Sequence, residues 1–320
     1  MNINNTCTSA DNQICLDIKG LNSYFFTPNQ LIKAVRDVDL TIPHGKTVAM
    51  VGESGCGKSM TALSILRLIP SPGRIVSGQI KFGGEDLLQL PTTEMRRIRG
   101  NRIAMIFQDP MTALNPVFTI GSQIAETLHQ HKGYSKAQAL ERSVELLHQV
   151  GIPNPRQRYR DYPHQLSGGM RQRVMIAIAL SCDPDLLIAD EPTTALDVTI
   201  QAQIMALLTT EQQQRQMSTL LISHDLGVVA QNADIVAIMY DGLIVELATV
   251  NTIFTSPLHP YTQELLNCIP KIGQNRGEYL QVRPQQKSFW DSCPQNFAPQ
   301  ESQNAPLQNL GCGHYVRRWS

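Results

Sequence analysis

The eight residues GESGCGKS, residues 52–59, have the spacing of a loop that binds the phosphates of a nucleotide. Glycines let the backbone curl so that successive N–H groups point at phosphate oxygens, and the start of a following helix adds partial positive charge. Lys58 can reach the β- and γ-phosphates, and the Ser59 hydroxyl can ligate Mg²⁺. The apolar run TVAMV before the loop predicts a strand, and MTALSILRLI after it predicts a helix, which is the context that this motif requires. The residues expected to contact the nucleotide here are Gly52, Glu53, Ser54, Gly55, Cys56, Gly57, Lys58, Ser59 and Met60.

Further candidate catalytic residues lie at the ends of two apolar, strand-like segments. DLLIADEP, residues 185–192, ends in Asp190 and Glu191, and LLISHD carries His224. Beside a phosphate loop, Asp190 can hold Mg²⁺ and Glu191 can polarise an attacking water. His224, on a strand expected next to the acidic pair, can keep the γ-phosphate and Glu191 in register. Each residue alone is compatible with a structural role, but together with the loop they favour nucleotide hydrolysis.

A third segment, HQLSGGMRQRV, residues 164–174, places Ser167, Gly168 and Gly169 directly before a helix-forming run. A serine and two glycines at a helix N-terminus can bind an anion. The segment contains no base, nucleophile or metal ligand of its own, and the alternative is an ordinary N-cap serine with two loop glycines. The segment therefore predicts an anion site that belongs to an active site built elsewhere.

The elements that must position these residues alternate along the chain. Strand-like and helix-like runs follow one another from the phosphate loop to LLISHD, which indicates a mostly parallel sheet covered on both faces. Residues 14–51 predict further strands, and residues 119–150 have a helical period, with Leu140, Val144, Leu147 and Val150 on one face and expected in the core. The Gln-rich residues 271–320 predict an extended appendage with little core of its own.

Composition excludes several classes of protein. Lys plus Arg and Asp plus Glu each number 27 in 320 residues, so net charge gives no reason to expect nucleic acid as a partner. The longest apolar run, Val174 to Cys182, is far shorter than the roughly 20 residues that a membrane helix needs, and no signal peptide is visible. The seven cysteines form no C-x-x-C pair, which is typical of reduced cytosolic thiols.

These motifs, in this order, resemble the nucleotide-binding subunits of ABC transporters over about residues 14–270. LSGGMRQR is similar to the signature of that family, which other phosphate-loop ATPases lack. The resemblance implies a RecA-like α/β core of the phosphate-loop NTPase class, with an N-terminal antiparallel β region and an inserted α-helical subdomain. The expected boundaries are a flexible N-terminus at 1–13, the core at 14–110 and 166–250, the helical subdomain at about 111–165, and a regulatory or appendage segment at 271–320.

The resemblance also implies roles for residues outside the three segments. Gln108 in FQDP matches the Q-loop, which senses the nucleotide, ligates Mg²⁺ and borders the surface that contacts the permease. Asp197 in ALD matches the D-loop, and His224 matches the switch histidine. An aromatic residue that stacks on adenine is by register Phe25, with Tyr24 as the alternative.

In this family two ATPase subunits pack head to tail, with each ATP between the phosphate loop of one and the signature of the other. The resemblance therefore implies that Ser167, Gly168 and Gly169 bind the γ-phosphate of a partner's ATP. Half of each site would be missing from a lone subunit, so we expect it to hydrolyse ATP poorly.

Finer motifs are similar to the dipeptide and oligopeptide importers, a subfamily that also includes nickel importers. They are FQDPMTALNP, YPHQLSGGM, DEPTTALDVTIQAQI and HPYTQELL. Such importers combine two different ATPase subunits, two transmembrane permeases and an extracytoplasmic solute-binding protein, and the ATPases lie peripherally on the cytoplasmic face of the inner membrane. The solute is open: peptides lead, with nickel or a metal chelate second and another small amine-bearing solute third.

Other functional classes fit the sequence less well. A soluble ABC-type ATPase of DNA repair or chromosome structure carries long coiled coils or DNA-binding modules between its two ATP motifs, whereas only about 130 residues separate Ser59 from Asp190 here. Translation-factor relatives carry two ATPase cassettes, and this sequence has one. Export is disfavoured by the importer motifs.

The tail departs from the subfamily pattern, in which four cysteines commonly carry an iron–sulfur cluster. Cys293 fits one ligand position, Cys312 lies beside GH and off the expected place, and Arg318 stands where a cysteine would be expected. Since such clusters are held by four thiolates, we expect none here.

Overall fold

The computed structural model describes residues 14–194, 196–268, 289–291, 293–294, 297 and 305–318. The strands in these residues are β1 (Ile14–Phe26), β2 (Leu31–Pro43), β3 (Thr47–Val51), β4 (Gly73–Phe82), β5 (Glu85–Asp86), β6 (Ile103–Ile106), β7 (Leu186–Asp190), β8 (Ser218–Ser223), β9 (Ile235–Tyr240), β10 (Leu243–Thr249), β11 (Leu307–Asn309) and β12 (Tyr315–Arg317). The α-helices are α1 (Lys58–Ile65), α2 (Thr92–Ile98), α3 (Pro110–Ala113), α4 (Ile120–Lys132), α5 (Lys136–Gln149), α6 (Pro155–Arg158), α7 (Gly168–Leu180), α8 (Val198–Arg215), α9 (Leu226–Asn232), α10 (Val250–Thr255) and α11 (Pro260–Asn267). Short 3₁₀ helices cover Pro163–Gln165 and Phe289–Asp291.

The main sheet has the order β11-β12-β10-β9-β3-β8-β7-β6. Strands β9, β3, β8, β7 and β6 pair in parallel, and every residue of β3, β7 and β8 is buried. Side chains alternate between two buried clusters: Ala49 and Val51 pack into one, and Val48 and Met50 into the other. Apolar runs without a polar face thus form strands covered on both sides, and the predicted parallel core is confirmed.

A second sheet, with the order β2-β1-β4-β5, is antiparallel throughout. Strands β1 and β2 form a long hairpin whose inward side chains, including Leu16, Ile18 and Ile42, are fully buried. These side chains share a cluster with Val48 and Met50 of β3, so the antiparallel sheet covers one face of the main sheet. The predicted N-terminal antiparallel region is therefore present.

Helices α4 and α5 pack against each other and against α7, in the part of the chain where a helical subdomain was expected. Leu147 and Val150 are buried as predicted, but Leu140 and Val144 are half-buried, so that part of the prediction is wrong. The buried side of α5 instead includes Ser143, whose hydroxyl donates to the Ala139 carbonyl at 2.6 Å and so needs no solvent. The longest helix, α8 with 18 residues, is too polar to cross a membrane, and the other helices of the described residues are too short.

The described parts of the tail join the main sheet through β12, which pairs with β10, while β11 pairs with β12. Arg317 on β12 is 1% exposed. Its guanidinium donates to the Asp37 carboxylate at 3.2 Å and to the Asp37 carbonyl at 2.9 Å, which ties the tail to β2. Two three-residue strands inside a Gln-rich segment give almost no hydrophobic pattern, and for this reason the sequence indicated only an extended appendage.

Candidate active site

The loop between β3 and α1 follows a path that only glycine permits at two positions. A Cβ atom at Gly52 would collide with the Met239 carbonyl oxygen, and one at Gly57 would collide with the Ala34 carbonyl oxygen. Gly57 also has a φ of +111°, in the region that side chains other than glycine rarely adopt. The loop is thus packed against β9 and β2. It leads into the start of α1, where the first N–H groups of a helix can donate to phosphate oxygens.

Lys58, the first residue of α1, is 5% exposed. Its ammonium donates to the carbonyl oxygens of Gly52 and Glu53, each at 2.8 Å. The lysine therefore curls over its own loop, and its charge is held at the place where the motif predicts phosphate.

Ser59 and Asp190 meet at the start of α1 and the end of β7. The Ser59 hydroxyl donates to the Asp190 carboxylate at 3.1 Å. Burial raises the pKa of Asp190 above its usual range, and the bond from Ser59 and the charge of Lys58 only partly oppose this. A hydroxyl beside a buried, destabilised carboxylate is a donor set that fits Mg²⁺, which prefers few protein oxygens and completes its shell with phosphate and water.

Glu191 follows directly in a strained turn, with a φ of +47° and its N–H bonded to the Ile222 carbonyl at 2.9 Å. One carboxylate oxygen accepts from Gln108 and from Thr194, each at 2.9 Å, and the other lies 3.2 Å from Nδ1 of His224. Burial raises the pKa of Glu191, but the bonds from Thr194 and His224 with the nearby positive charges outweigh it, so the pKa is lowered. The carboxylate is therefore ionised at neutral pH.

Of the four residues that meet at this carboxylate, Glu191, Gln108 and His224 were predicted and Thr194 was missed. Strands β7 and β8 are neighbours, as expected, and this pairing brings His224 to Glu191. Gln108 lies in the same site because its side-chain amide donates to the Glu191 carboxylate. Thr194 went unnoticed, although its position three residues after Glu191 in DEPTT was the signal that could have identified it.

The signature segment is a helix start with an open face. The Ser167 hydroxyl accepts from the Met170 N–H at 3.3 Å and so caps α7. Nothing lies within 4 Å of a Cβ atom placed on Gly168, while one on Gly169 would touch Ile200. Asp197 caps α8 by accepting from the Ile200 N–H at 2.9 Å. The described contacts thus show a capped helix start with open space beside Gly168, and anion binding by the signature residues stays a prediction.

The aromatic candidates for adenine lie side by side on β1, and both are half-buried. The Phe25 ring packs beside Gly73 of β4. The Tyr24 hydroxyl donates to the Asn22 side chain at 2.9 Å, with the Lys33 ammonium 5.9 Å from the centre of its ring. Stacking by Phe25 stays a prediction.

Two known protein families match successive parts of the chain. The pattern of the family described as "ABC transporter" matches residues 35–194, which span the phosphate loop, the signature and the acidic pair. The chain belongs to the ABC transporter ATPases. A second family, described as "Oligopeptide/dipeptide transporter, C-terminal region", matches residues 245–319, the segment that contains β11 and β12.

Relatives of this ATPase are similar along most of their length. A probable peptide ABC transporter ATP-binding protein of Sinorhizobium fredii is 45% identical over 96% of this chain and 95% of its own. The oligopeptide transport ATP-binding protein AppD of Bacillus subtilis is 56% identical over 80% of this chain and 79% of its own. The dipeptide transport ATP-binding protein DppD of Bacillus subtilis is 52% identical over 83% and 80%.

Solved structures agree with the fold of the ATPase. A dimeric ATP-binding cassette, MJ0796, bound to ADP and phosphate in a post-hydrolysis state, superimposes with a TM-score of 0.67 at 26% identity and covers 73% of this chain and 98% of its own. The chain is thus an ATP-binding ATPase with the fold that the sequence predicted.

Proposed function

We propose that this ATPase is a subunit of a membrane importer that couples ATP binding and hydrolysis to the uptake of di- and oligopeptides. The observation that carries the proposal is the similarity over four fifths or more of the chain to proteins named for peptide, oligopeptide and dipeptide transport, together with the match to the C-terminal region. The names of the relatives and the C-terminal region favour peptides over the nickel or metal-chelate alternative, and an importer over a DNA-repair or chromosome-structure ATPase.

The site supports hydrolysis by positioning and charge neutralisation, which phosphoryl transfer chiefly requires. Lys58 and the loop N–H groups would hold the phosphates, and Ser59 with Asp190 would hold Mg²⁺, which neutralises phosphate charge when bound. Glu191, held by Gln108, Thr194 and His224, would orient the attacking water.

The partners are proposed from the incomplete site and from the surface around Gln108. The signature residues have no chemistry of their own, which supports pairing with a second, homologous ATPase subunit. Large apolar side chains are exposed on the segments that flank Gln108 and that precede the signature: Phe107, Met111, Val117, Phe118 and Tyr162. Val117 is 70% exposed, and exposed apolar side chains of this size, where they adjoin, mark an interaction site. They would contact a transmembrane permease of the complex, which contains two permeases, with the ATPase at the cytoplasmic face of the inner membrane and a solute-binding protein on the other side.

Reconstitution of the complex in vesicles with the binding protein tests this function. We expect dipeptides or oligopeptides to stimulate ATP hydrolysis severalfold, and free amino acids to have no such effect. Stimulation by Ni²⁺ instead of peptides would assign the metal-importer alternative. Purification of this chain without any integral-membrane permease would contradict the importer itself.

We also propose that the tail holds no iron–sulfur cluster. Cys312 is exposed beside Gly313 and His314, and Arg318 packs with its guanidinium 5.4 Å from the centre of the Phe297 ring. A guanidinium cannot replace a thiolate ligand. We expect anaerobically purified complex to contain no stoichiometric iron and no visible absorption band. About four irons per chain, the content of a [4Fe–4S] cluster, would contradict this.

A further inference from the structure

Tyr261, which belongs to the HPYT segment at the start of α11, contacts the phosphate loop. Its side chain is 2% exposed. Its hydroxyl accepts a hydrogen bond from the N–H of Glu53 at 3.2 Å, across 208 positions of sequence. Tyr261 lies within the C-terminal region, beyond the residues that match the ABC transporter pattern. The C-terminal region therefore supplies a polar group to the nucleotide site.

Glu53 is held from both ends of its backbone. Tyr261 accepts from its N–H, and the Lys58 ammonium donates to its carbonyl oxygen at 2.8 Å. A shift of Glu53 would move one of the two carbonyls that position Lys58. We propose that Tyr261 is a positioning residue of the ATP site, which fixes the phosphate loop at Glu53 and thereby places Lys58 for the phosphates.

Tyr261 can act in this way because its own position is fixed. Its ring centre lies 4.5 Å from that of Tyr240 and 5.5 Å from that of Phe289, a residue of the tail. The Tyr261 N–H donates to Nδ1 of His259 at 3.2 Å. Burial raises the pKa of Tyr261, so the hydroxyl stays neutral while it accepts the bond from Glu53. The hydroxyl is therefore a fixed point against which the loop is held.

The tail also stabilises the segment that carries Tyr261, through Glu246 on β10. The Glu246 carboxylate, fully buried, accepts from the N–H groups of Leu258 and His259 at 2.8 and 3.0 Å. The same carboxylate lies 2.7 Å from Nε2 of His314 in the tail. One buried carboxylate thus joins the tail to the start of the HPYT segment, and through Tyr261 to the phosphate loop.

The variant Tyr261→Phe tests the proposal, which rests on the proposed ATP site. It removes the hydroxyl and keeps the ring packing. The loss of one neutral hydrogen bond to the loop is expected to weaken Mg·ATP binding to the full chain about three- to tenfold, measured by calorimetry. In the complex that co-purifies with this chain, the KM for ATP should rise by the same factor. The kcat at saturating ATP should stay within about twofold, because a bond made equally in the ground and transition states changes only binding.

Tyr240→Phe is the matched control. Its hydroxyl accepts from the Phe289 N–H at 2.8 Å in the same aromatic cluster, so this variant also removes one hydrogen-bonded tyrosine hydroxyl. It should lower the melting temperature by an amount similar to that of Tyr261→Phe, yet leave ATP affinity within twofold. Equal losses of ATP affinity in both variants, or unchanged affinity in Tyr261→Phe, would overturn the proposal. Failure of the unsubstituted chain to bind ATP would refute the proposed ATP site, and the two failures are therefore distinguishable.

Discussion

Replacement of Glu191 by glutamine is expected to abolish ATP turnover while ATP still binds. The amide keeps the size of the side chain and can still accept a bond from Thr194, but it lacks the negative charge that would orient and polarise the attacking water. A positioned acid–base group contributes about 10²- to 10⁴-fold to a rate. Lys58, Ser59 and Asp190, which would hold the phosphates and the metal, are unchanged, so affinity for ATP should stay within a few-fold.

Single-turnover and steady-state hydrolysis by the purified complex, with ATP affinity measured on the same preparation, check this expectation. Glu145→Gln on α5 is a matched control, since this carboxylate is 62% exposed and pairs with Arg142 on the surface. It should leave turnover within twofold. Loss of ATP affinity in Glu191→Gln would instead assign Glu191 to the architecture of the loop, and retained turnover would remove it from catalysis.

The parts of this site that could be predicted are those encoded by local spacing. The phosphate loop is a contiguous motif between a strand and a helix, so Lys58 and Ser59 follow from the sequence itself. The approach of His224 to Glu191 followed from one further rule, that parallel strands end at the same edge of a sheet. The parallel core and its covering layers could also be predicted, because uninterrupted apolar runs indicate strands that are buried on both faces.

The parts that could not be predicted depend on tertiary packing. The HPYT motif does not predict the contact between Tyr261 and Glu53, because the two residues are 208 positions apart and meet only in the folded chain. Likewise, the buried side of α5 includes Ser143, whose hydroxyl bonds inside its own helix and so allows burial of a polar residue. Hydrophobic periodicity cannot predict the burial of a serine, and for this reason it assigned the neighbouring Val144 to the core instead.

The most specific consequence of the proposed pairing concerns Ser167. Its hydroxyl and the open face beside Gly168 carry no chemistry for this chain, so a bulky replacement should act on the other subunit. Ser167→Phe would fill the space where a partner's γ-phosphate is expected and remove the hydroxyl that is expected to donate to that phosphate. Loss of a donor that stabilises developing charge costs about 10²- to 10³-fold in rate. We therefore expect hydrolysis at the partner's phosphate loop to fall at least about 100-fold, while ATP binding at Lys58 remains within twofold.

Vanadate-dependent trapping of a photoreactive ATP analogue distinguishes the two sites, because the label identifies the subunit whose loop holds the nucleotide. Label on the partner subunit should disappear, whereas direct ATP binding to this chain should persist. Ser135→Phe is the matched control: Ser135 caps α5 in the same way that Ser167 caps α7, and each substitution costs about 1 kcal/mol of helix stability. If Ser135→Phe also abolished trapping on the partner, general destabilisation would explain the effect. If Ser167→Phe abolished ATP binding to this chain alone, the signature would serve the site of its own subunit, and the head-to-tail pair would be refuted.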